Sequence, residues 1–213
     1  MIQKRHSIQS QKSLLTRGMN RLASFYDFIT FVFSLGQVQK SQNESLKLIS
    51  DVNRICILGG GSGQFLDNLE ARHPEAAIDF IELSEQMLSL AKEQKLKNTE
   101  FILGDEKSLS GYYSLIILPF VLNCYEQNDQ SALLEKLSAH LKQGSQLLIV
   151  DLNPSIKSLI FRAYTRLLYS GFKLFAKIPA NRLHDYKQVI PQGLFLSGQT
   201  GSKAWFQGSI YKK

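Results

Sequence analysis

Three glycines at alternate positions, Gly59, Gly61 and Gly63, fall in the stretch ICILGGGSGQFLDNL, where an apolar run gives way to a helix-like pattern. Glycine at the end of a buried strand lets the backbone turn tightly and lets a ligand lie against the main chain. A helix starting there offers free N–H groups and the positive end of its dipole. The chemistry this suits is binding of a nucleotide-type ligand at the carboxyl edge of a parallel sheet. Two acids strengthen it. Glu82 closes IDFIELS, 19 residues after Gly63, where a carboxylate can accept from both hydroxyls of a ribose. Asp105 closes FILGDEKSL, where a second acid can accept from an adenine amino group. The glycine spacing is G-x-G-x-G followed by Gln64, unlike the G-x-G-x-x-G of dinucleotide sites.

These residues need a scaffold of alternating strands and helices. RICILG (54–59), AIDFIEL (77–83), TEFILGD (99–105), YYSLIILPFV (112–121) and SQLLIVDL (145–152) read as strands, because short apolar runs between helical patterns suit buried parallel strands. GQFLDNLEAR and EQMLSLAKEQK read as helices, the second with Ser84 as N-cap. NDQSALLEKLSAHLKQG (128–144) reads as an amphipathic helix with Leu133, Leu137 and Leu141 four apart and Gly144 as its stop. GLFLSGQ (193–199) and KAWFQGSIYK (203–212) are joined only by TGS, and so short a link joins antiparallel neighbours. The expected fold class is α/β, a doubly wound, mostly parallel sheet in three layers, finished by an antiparallel hairpin.

Bulk properties narrow the setting. The chain has 213 residues, 44% hydrophobic and 20% charged, enough for one sizeable core. It has no apolar run long enough to span a membrane, and its polar, basic start lacks the apolar core of a secretory signal. Two cysteines, Cys56 and Cys124, without CxxC or His/Cys spacing, indicate a reducing cytoplasm and no structural metal. The net charge of +7 is concentrated. Residues 1–26 carry five Lys/Arg and no acid, and 152–184 carry six and no acid, leaving 14 basic against 18 acidic residues elsewhere. Such segments are solvated helix faces or docking surfaces for something anionic.

The sequence resembles the class I S-adenosylmethionine-dependent methyltransferases through ICILGGGSG, IELSEQML, LGDEKSL, YYSLIILPFVLN and GSQLLIVDLNP, spanning about residues 50–155. The resemblance implies a Rossmann-like, seven-stranded sheet with one reversed strand, and S-adenosylmethionine (SAM) across the first strand ends, with S-adenosylhomocysteine as product. It implies a cofactor site of Leu58, Gly59, Gly60, Gly61, Gly63, Glu82, Leu83, Met87, Gly104, Asp105, Glu106 and Leu118. Glu82 would hold the ribose, and Asp105 with Glu106 would border the adenine beside Leu83 and Leu103. Two positions depart from the family pattern: Ile57 stands where an acid usually precedes the first glycine, and Ser114 replaces the usual acid early in strand four. Ile57 removes one anchor for the methionine ammonium.

FYDFITFVFSLGQVQK (25–40) and the segment from Asn153 to Ile190 are similar to the N-terminal helices and the substrate-covering insertion of the menaquinone and ubiquinone C-methyltransferases. That resemblance implies an N-terminal helical cap over 1–48, a SAM-binding domain over 49–213 and a helical covering insertion over 155–185. It also implies a small, hydrophobic, quinone-like acceptor. Residues 155–178 read as a basic amphipathic segment with interspersed aromatics, split at Gly171. Such a segment lies on an anionic membrane, covers a greasy substrate, or simply packs on the sheet. Methyl transfer from a sulfonium needs positioning and exclusion of water more than a nucleophile. Tyr26, Asn123, Tyr125, Asp151 and His184 are the candidates to line the acceptor site, each at a strand end or in a covering segment. A nucleic-acid (RNA) methyltransferase is the alternative suggested by the basic segments, although LPFVLN after strand four lacks the Asn/Asp-Pro-Pro-aromatic signature. A non-catalytic SAM-binding protein is the alternative suggested by Ile57. The glycine spacing argues against an NAD-dependent oxidoreductase.

Overall fold

A computed structural model describes residues 36–175 and 178–213, excluding the side chains of Phe172, Leu174 and Phe175. The described elements are α1 (Gln37–Ser45), β1 (Arg54–Leu58), α2 (Leu66–Arg72), β2 (Ala77–Glu82), α3 (Glu85–Lys92), β3 (Thr99–Leu103), β4 (Tyr113–Pro119), α4 (Gln127–Ala139), β5 (Leu141–Leu152), α5 (Leu159–Phe175), β6 (Phe195–Thr200) and β7 (Phe206–Lys212). Tyr26 and the basic residues of 1–26 lie outside the described residues.

The described strands form one seven-stranded sheet in the order β3-β2-β1-β4-β5-β7-β6. Strands β3, β2, β1, β4 and β5 pair in parallel, and β7 is antiparallel to both of its neighbours. The expected α/β fold with its reversed strand is present. The central strands are apolar on both sides because both faces are covered. Ile55, Ile57, Ile78, Phe80, Leu115, Ile117, Leu148 and Val150 form one face's core. Cys56, Leu58, Ile81, Ile116, Leu118, Leu147 and Ile149 form the other, under α4. Successive helices must change face between β2–β1 and β4, so β1 and β4 flank a switch point where a crevice opens at the carboxyl edge.

Two glycines behave differently from the sequence expectation. Helix α4 stops at Ala139 rather than at Gly144, since Leu141 already pairs with Tyr113 and is buried. Gly144 instead lies within β5 at φ 84°, beside the register shift between Tyr113 and Leu115, and its N–H donates to the Lys213 carbonyl at 2.8 Å. Gly171 does not split the covering segment. Helix α5 runs through it unbroken, and a Cβ there would meet nothing within 4 Å.

Helix α1 docks on the end of the sheet through a close approach. A Cβ on Gly208 of β7 would overlap Ser45 Oγ and sit 2.7 Å from Ser45 Cβ. Ser45 is held there by its hydroxyl, which donates to the Ser41 carbonyl and lies 3.1 Å from Thr200 Oγ1. Gly208→Ala is therefore expected to push α1 off β7 and to cost about 1–3 kcal/mol, the usual cost of overpacking. Urea unfolding checks this, and an unchanged midpoint would contradict the close packing.

Candidate functional site

Backbone pairing continues one residue past several strand ends and fixes the loops at the carboxyl edge. The Gly59 N–H donates to Ile81, Gly104 to Glu82 and Phe120 to Val150, at 2.8, 2.9 and 2.7 Å. The glycine loop is thereby tied to β2 at its first residue. Gly59, Gly61 and Gly63 all have positive φ, which other residues adopt only with strain. They divide by what surrounds them. A Cβ on Gly59 would strike Val121, one on Gly60 the Phe80 ring, and one on Gly63 Leu66. Gly61 alone of this loop, at φ 62°, has nothing within 4 Å of a built Cβ. Three of the glycines admit neighbours and the fourth borders open space.

Glu82 ends β2 directly beneath that space. It is buried, and one carboxylate oxygen accepts the Gly61 N–H at 3.0 Å while the other accepts the Ser84 N–H at 2.8 Å. Burial pushes its carboxyl above the usual range, and the N–H groups of Ser84, Gly61 and Leu83 pull the other way. A carboxylate has about four lone-pair sites, so acceptor capacity remains beyond these three N–H groups. Ser84 also serves as the expected N-cap of α3, accepting from Met87 N–H.

The β3 end completes this side. Asp105 accepts from the Lys107 N–H at 2.8 Å and Glu106 lies 4.0 Å from the Lys136 ammonium. Gly104 leaves room for Ser108, whose Oγ a Cβ there would overlap. Leu103 is 54% exposed although it ends a strand, and Leu83 is half-buried. Leu58, Met87 and Leu118 are buried in the core below this edge. An open cradle at Gly61 above a buried carboxylate, with a bare leucine and two acids at the next strand end, fits an adenosine-bearing ligand. Leu58 to Gly63 and Glu82 would hold its ribose and tail, and Leu83, Leu103, Asp105 and Glu106 its base. Ile57 is fully buried and supplies no charge. Ser114 lies at the start of β4, away from the loop, where its hydroxyl donates to the Arg54 carbonyl and accepts from Arg54 N–H.

The β4–α4 loop separates this half from the other. Phe120 holds φ 60°, a left-handed conformation uncommon for a side chain of this size. Asp151, fully buried at the end of β5, accepts the Asn123 N–H at 3.1 Å and the Leu152 N–H at 2.7 Å. Burial raises its carboxyl from 3.8 to about 7, against the hydrogen bonds from Leu152, Asn123 and Leu122. The structure thus brings two of the acceptor-site candidates, Asn123 and Asp151, together, and Tyr169 of α5 donates to the Asn123 carbonyl at 3.0 Å. Gln207, opposite Asp151 on β7, has a buried side-chain oxygen without a hydrogen-bond partner among the described residues. Burial pushes the Cys124 thiol up to about 12, with the charges of Asp151 and Glu82 adding to it, which disfavours the thiolate at neutral pH.

Burial raises the Tyr125 phenol, with the charges of Glu106, Cys124, Asp105 and Asp129 adding to the shift, and its side chain packs against the core cluster that α4 covers. His184 is buried with Nε2 2.8 Å from a Glu126 carboxylate oxygen, off the axis of an aligned hydrogen bond. The Ala180 N–H donates to the Cys124 carbonyl and the Asn181 N–H to Glu126, both at 3.3 Å. These contacts pin the segment after α5 to the β4–α4 loop.

On the other face of β5, Leu152, Phe161 and Phe206 are buried together with Val38, Phe120, Tyr164, Leu168 and Trp205 against them. Trp205 lies 4.9 Å from Tyr164 and 5.5 Å from Phe161 between ring centroids. Helix α5 thus crosses the carboxyl edge, aromatic on one side of β5 and bonded to Asn123 on the other. Gln39 of α1 donates to Gln64 at 2.6 Å, which brings α1 beside the glycine loop. Neither this pair, Tyr169, nor Gln207 carries a signal in sequence, since each depends on a long-range approach.

Residues 57–147 match the family described as a methyltransferase domain. The chain is 27% identical over 179 residues to a demethylmenaquinone methyltransferase of Thermotoga maritima, covering 81% of this chain and 77% of that one. Among solved structures, a magnesium protoporphyrin IX methyltransferase from Synechocystis with bound S-adenosylhomocysteine superimposes at a TM-score of 0.67 and 17% identity, covering 94% of this chain and 97% of that one. An O-methyltransferase family protein from Burkholderia thailandensis gives a TM-score of 0.69 at 17% identity over 90% of this chain, which spans only 59% of that protein. At these identities the two structures bear on the fold.

Because the folded chain binds the Asp151 proton more tightly than the unfolded chain, stability falls as pH rises from about 4 to about 7, by at most about 1.4 kcal/mol per unit. Asp151→Asn is expected to lose this slope. Urea midpoints at about pH 5 and about pH 7.5 check it, and equal slopes in the two proteins would refute the buried acid.

Proposed function

We propose that this chain, which by its fold and its domain over 57–147 belongs to the class I S-adenosylmethionine-dependent methyltransferases, transfers a methyl group to a small, hydrophobic, quinone-like acceptor. When bound, SAM supplies an electrophilic methyl group on a sulfonium. The observation that carries the reading is the open cradle at Gly61 over the buried Glu82 carboxylate. Glu82 accepts from the ribose hydroxyls with the acceptor capacity left beyond the Gly61, Ser84 and Leu83 N–H groups. Asp105, Glu106 and Leu103 border the base.

The aromatic cluster of Phe120, Phe161, Tyr164, Trp205 and Phe206 supports an apolar acceptor at the same edge. Such walls exclude water and orient a planar ring, which is most of what in-line methyl transfer requires. Asn123 and Asp151 position the β4–α4 loop between the two halves, and Val121 of that loop rests against Gly59. The demethylmenaquinone methyltransferase name of one relative is consistent with this acceptor class. Residues 37–48 belong to the N-terminal cap and 155–185 act as the covering segment. Contact of 155–178 with an anionic membrane would bring a lipophilic acceptor within reach.

Calorimetry with S-adenosylhomocysteine and, separately, NADH tests the cofactor, with binding of the first alone expected. Glu82→Ala should weaken that binding at least about tenfold, because a buried ribose loses charged acceptors. Gly61→Ala should weaken it too, while circular dichroism stays native. Unchanged affinity in both variants would sink the site. Transfer of labelled methyl from SAM to reduced demethylmenaquinone tests the acceptor, and turnover of RNA in its place would favour the nucleic-acid alternative.

A further inference from the structure

Helix α5 has three sectors, not two. At about 100° per residue, Phe161, Tyr164, Leu168 and Tyr169 share the side facing the sheet, and Phe161 and Tyr169 are buried. Arg162, Arg166 and Lys173 line one exposed flank. Ile160, Ala163 and Leu167 line the other, with Ile160 73% and Leu167 62% exposed and Leu159, 78% exposed, between them at the helix start. The packing of α5 on the sheet accounts for the first sector only. Exposed apolar residues beside a basic stripe need another partner.

Charge selects that partner. No Asp or Glu occurs between residues 152 and 184, and none of the described ion pairs involves Arg162, Arg166 or Lys173. Residues 1–26 of the same chain carry five cations and no acid, so as an occupant they would offer like charge. A second copy would bring the same basic stripe. An apolar stripe flanked by cations on a helix lying flat on the protein matches a bilayer surface, with aliphatic side chains entering the headgroup boundary and Arg/Lys meeting anionic lipid. Among the described residues no helix is long and apolar enough to cross a membrane, so the contact is a peripheral one.

We propose that the outer face of α5, through Leu159, Ile160 and Leu167 with Arg162, Arg166 and Lys173, docks the protein on an anionic lipid surface. This rests on the acceptor reading above only for its purpose, since the inner side of the same helix covers the aromatic cluster. Docking there sets the covering segment at the interface from which a lipophilic acceptor arrives.

The test is co-sedimentation of the full chain with vesicles of phosphatidylcholine and of phosphatidylcholine mixed with phosphatidylglycerol. Binding to the mixed vesicles is expected to exceed that to neutral ones at least about tenfold at low salt and to fall as salt rises. Ile160→Asp with Leu167→Asp should abolish it, and Arg162→Gln with Arg166→Gln should weaken it several-fold. These side chains are exposed, so native circular dichroism is expected in both variants. Equal binding to both vesicles, binding to neither, or wild-type binding by both double variants overturns the proposal. Loss only when the cations of residues 1–26 are neutralised also overturns it and assigns the contact to that segment. S-adenosylhomocysteine calorimetry on the same proteins keeps the two readings apart: vesicle binding lost with ligand affinity intact concerns the α5 face alone.

Discussion

The bonds from the Gly61 and Ser84 N–H groups to the Glu82 carboxylate hold the candidate site together. They join the loop after β1 to the turn after β2 through one buried side chain. Each N–H would otherwise lack a partner at a strand end, and an unpaired buried donor is costly. The carboxylate in turn tolerates burial because it accepts from them. The same carboxylate therefore fixes the loop whose Gly61 borders open space. Gly61 is open while Gly59, Gly60 and Gly63 are crowded by Val121, Phe80 and Leu66. The loop is fixed from below so that its upper surface stays free.

Asp151 has the corresponding role at the end of β5. It takes the N–H groups that begin the 3-10 turn Leu122–Cys124 and so fixes the path of the loop between the two halves. That loop touches both sides. Val121 meets Gly59 of the glycine loop, Phe120 joins the aromatic cluster, and the Cys124 carbonyl receives the segment that follows α5. The left-handed Phe120 is where the chain turns from β4 into this arrangement. Burial disfavours the Asp151 charge more than its hydrogen bonds favour it, which is the cost of anchoring a loop from inside the core.

Helix α5 packs at the β5 side of the carboxyl edge. Its inward side is aromatic over one face of β5, and Tyr169 reaches Asn123 on the other. The helix can run through Gly171 because nothing presses on that position, so the packing of Phe161, Tyr164, Leu168 and Tyr169 overrides a weak local preference. The one helix thereby joins the aromatic cluster to the β4–α4 loop.

Period and punctuation in the sequence determined the strands, the order of helices between them, the closing hairpin and the glycine loop followed by an acid at the next strand end. Those signals are local, because each strand needs its own apolar run and each turn its own glycine. Helix ends were less legible. Gly144 marked a stop that Leu141 pre-empted by pairing with Tyr113, and such pairing is decided across the sheet. The acceptor side divides in the same way. Asn123 and Asp151 stood at strand ends in sequence, but only the fold decided that they bond each other, that Tyr125 packs against the core cluster under α4, and that His184 meets Glu126. Gln39, Gln64, Tyr169 and Gln207 could not be read at all. Their partners lie 25 residues away or more, and which side chains meet over that distance is set by packing of the whole chain, not by any spacing along it.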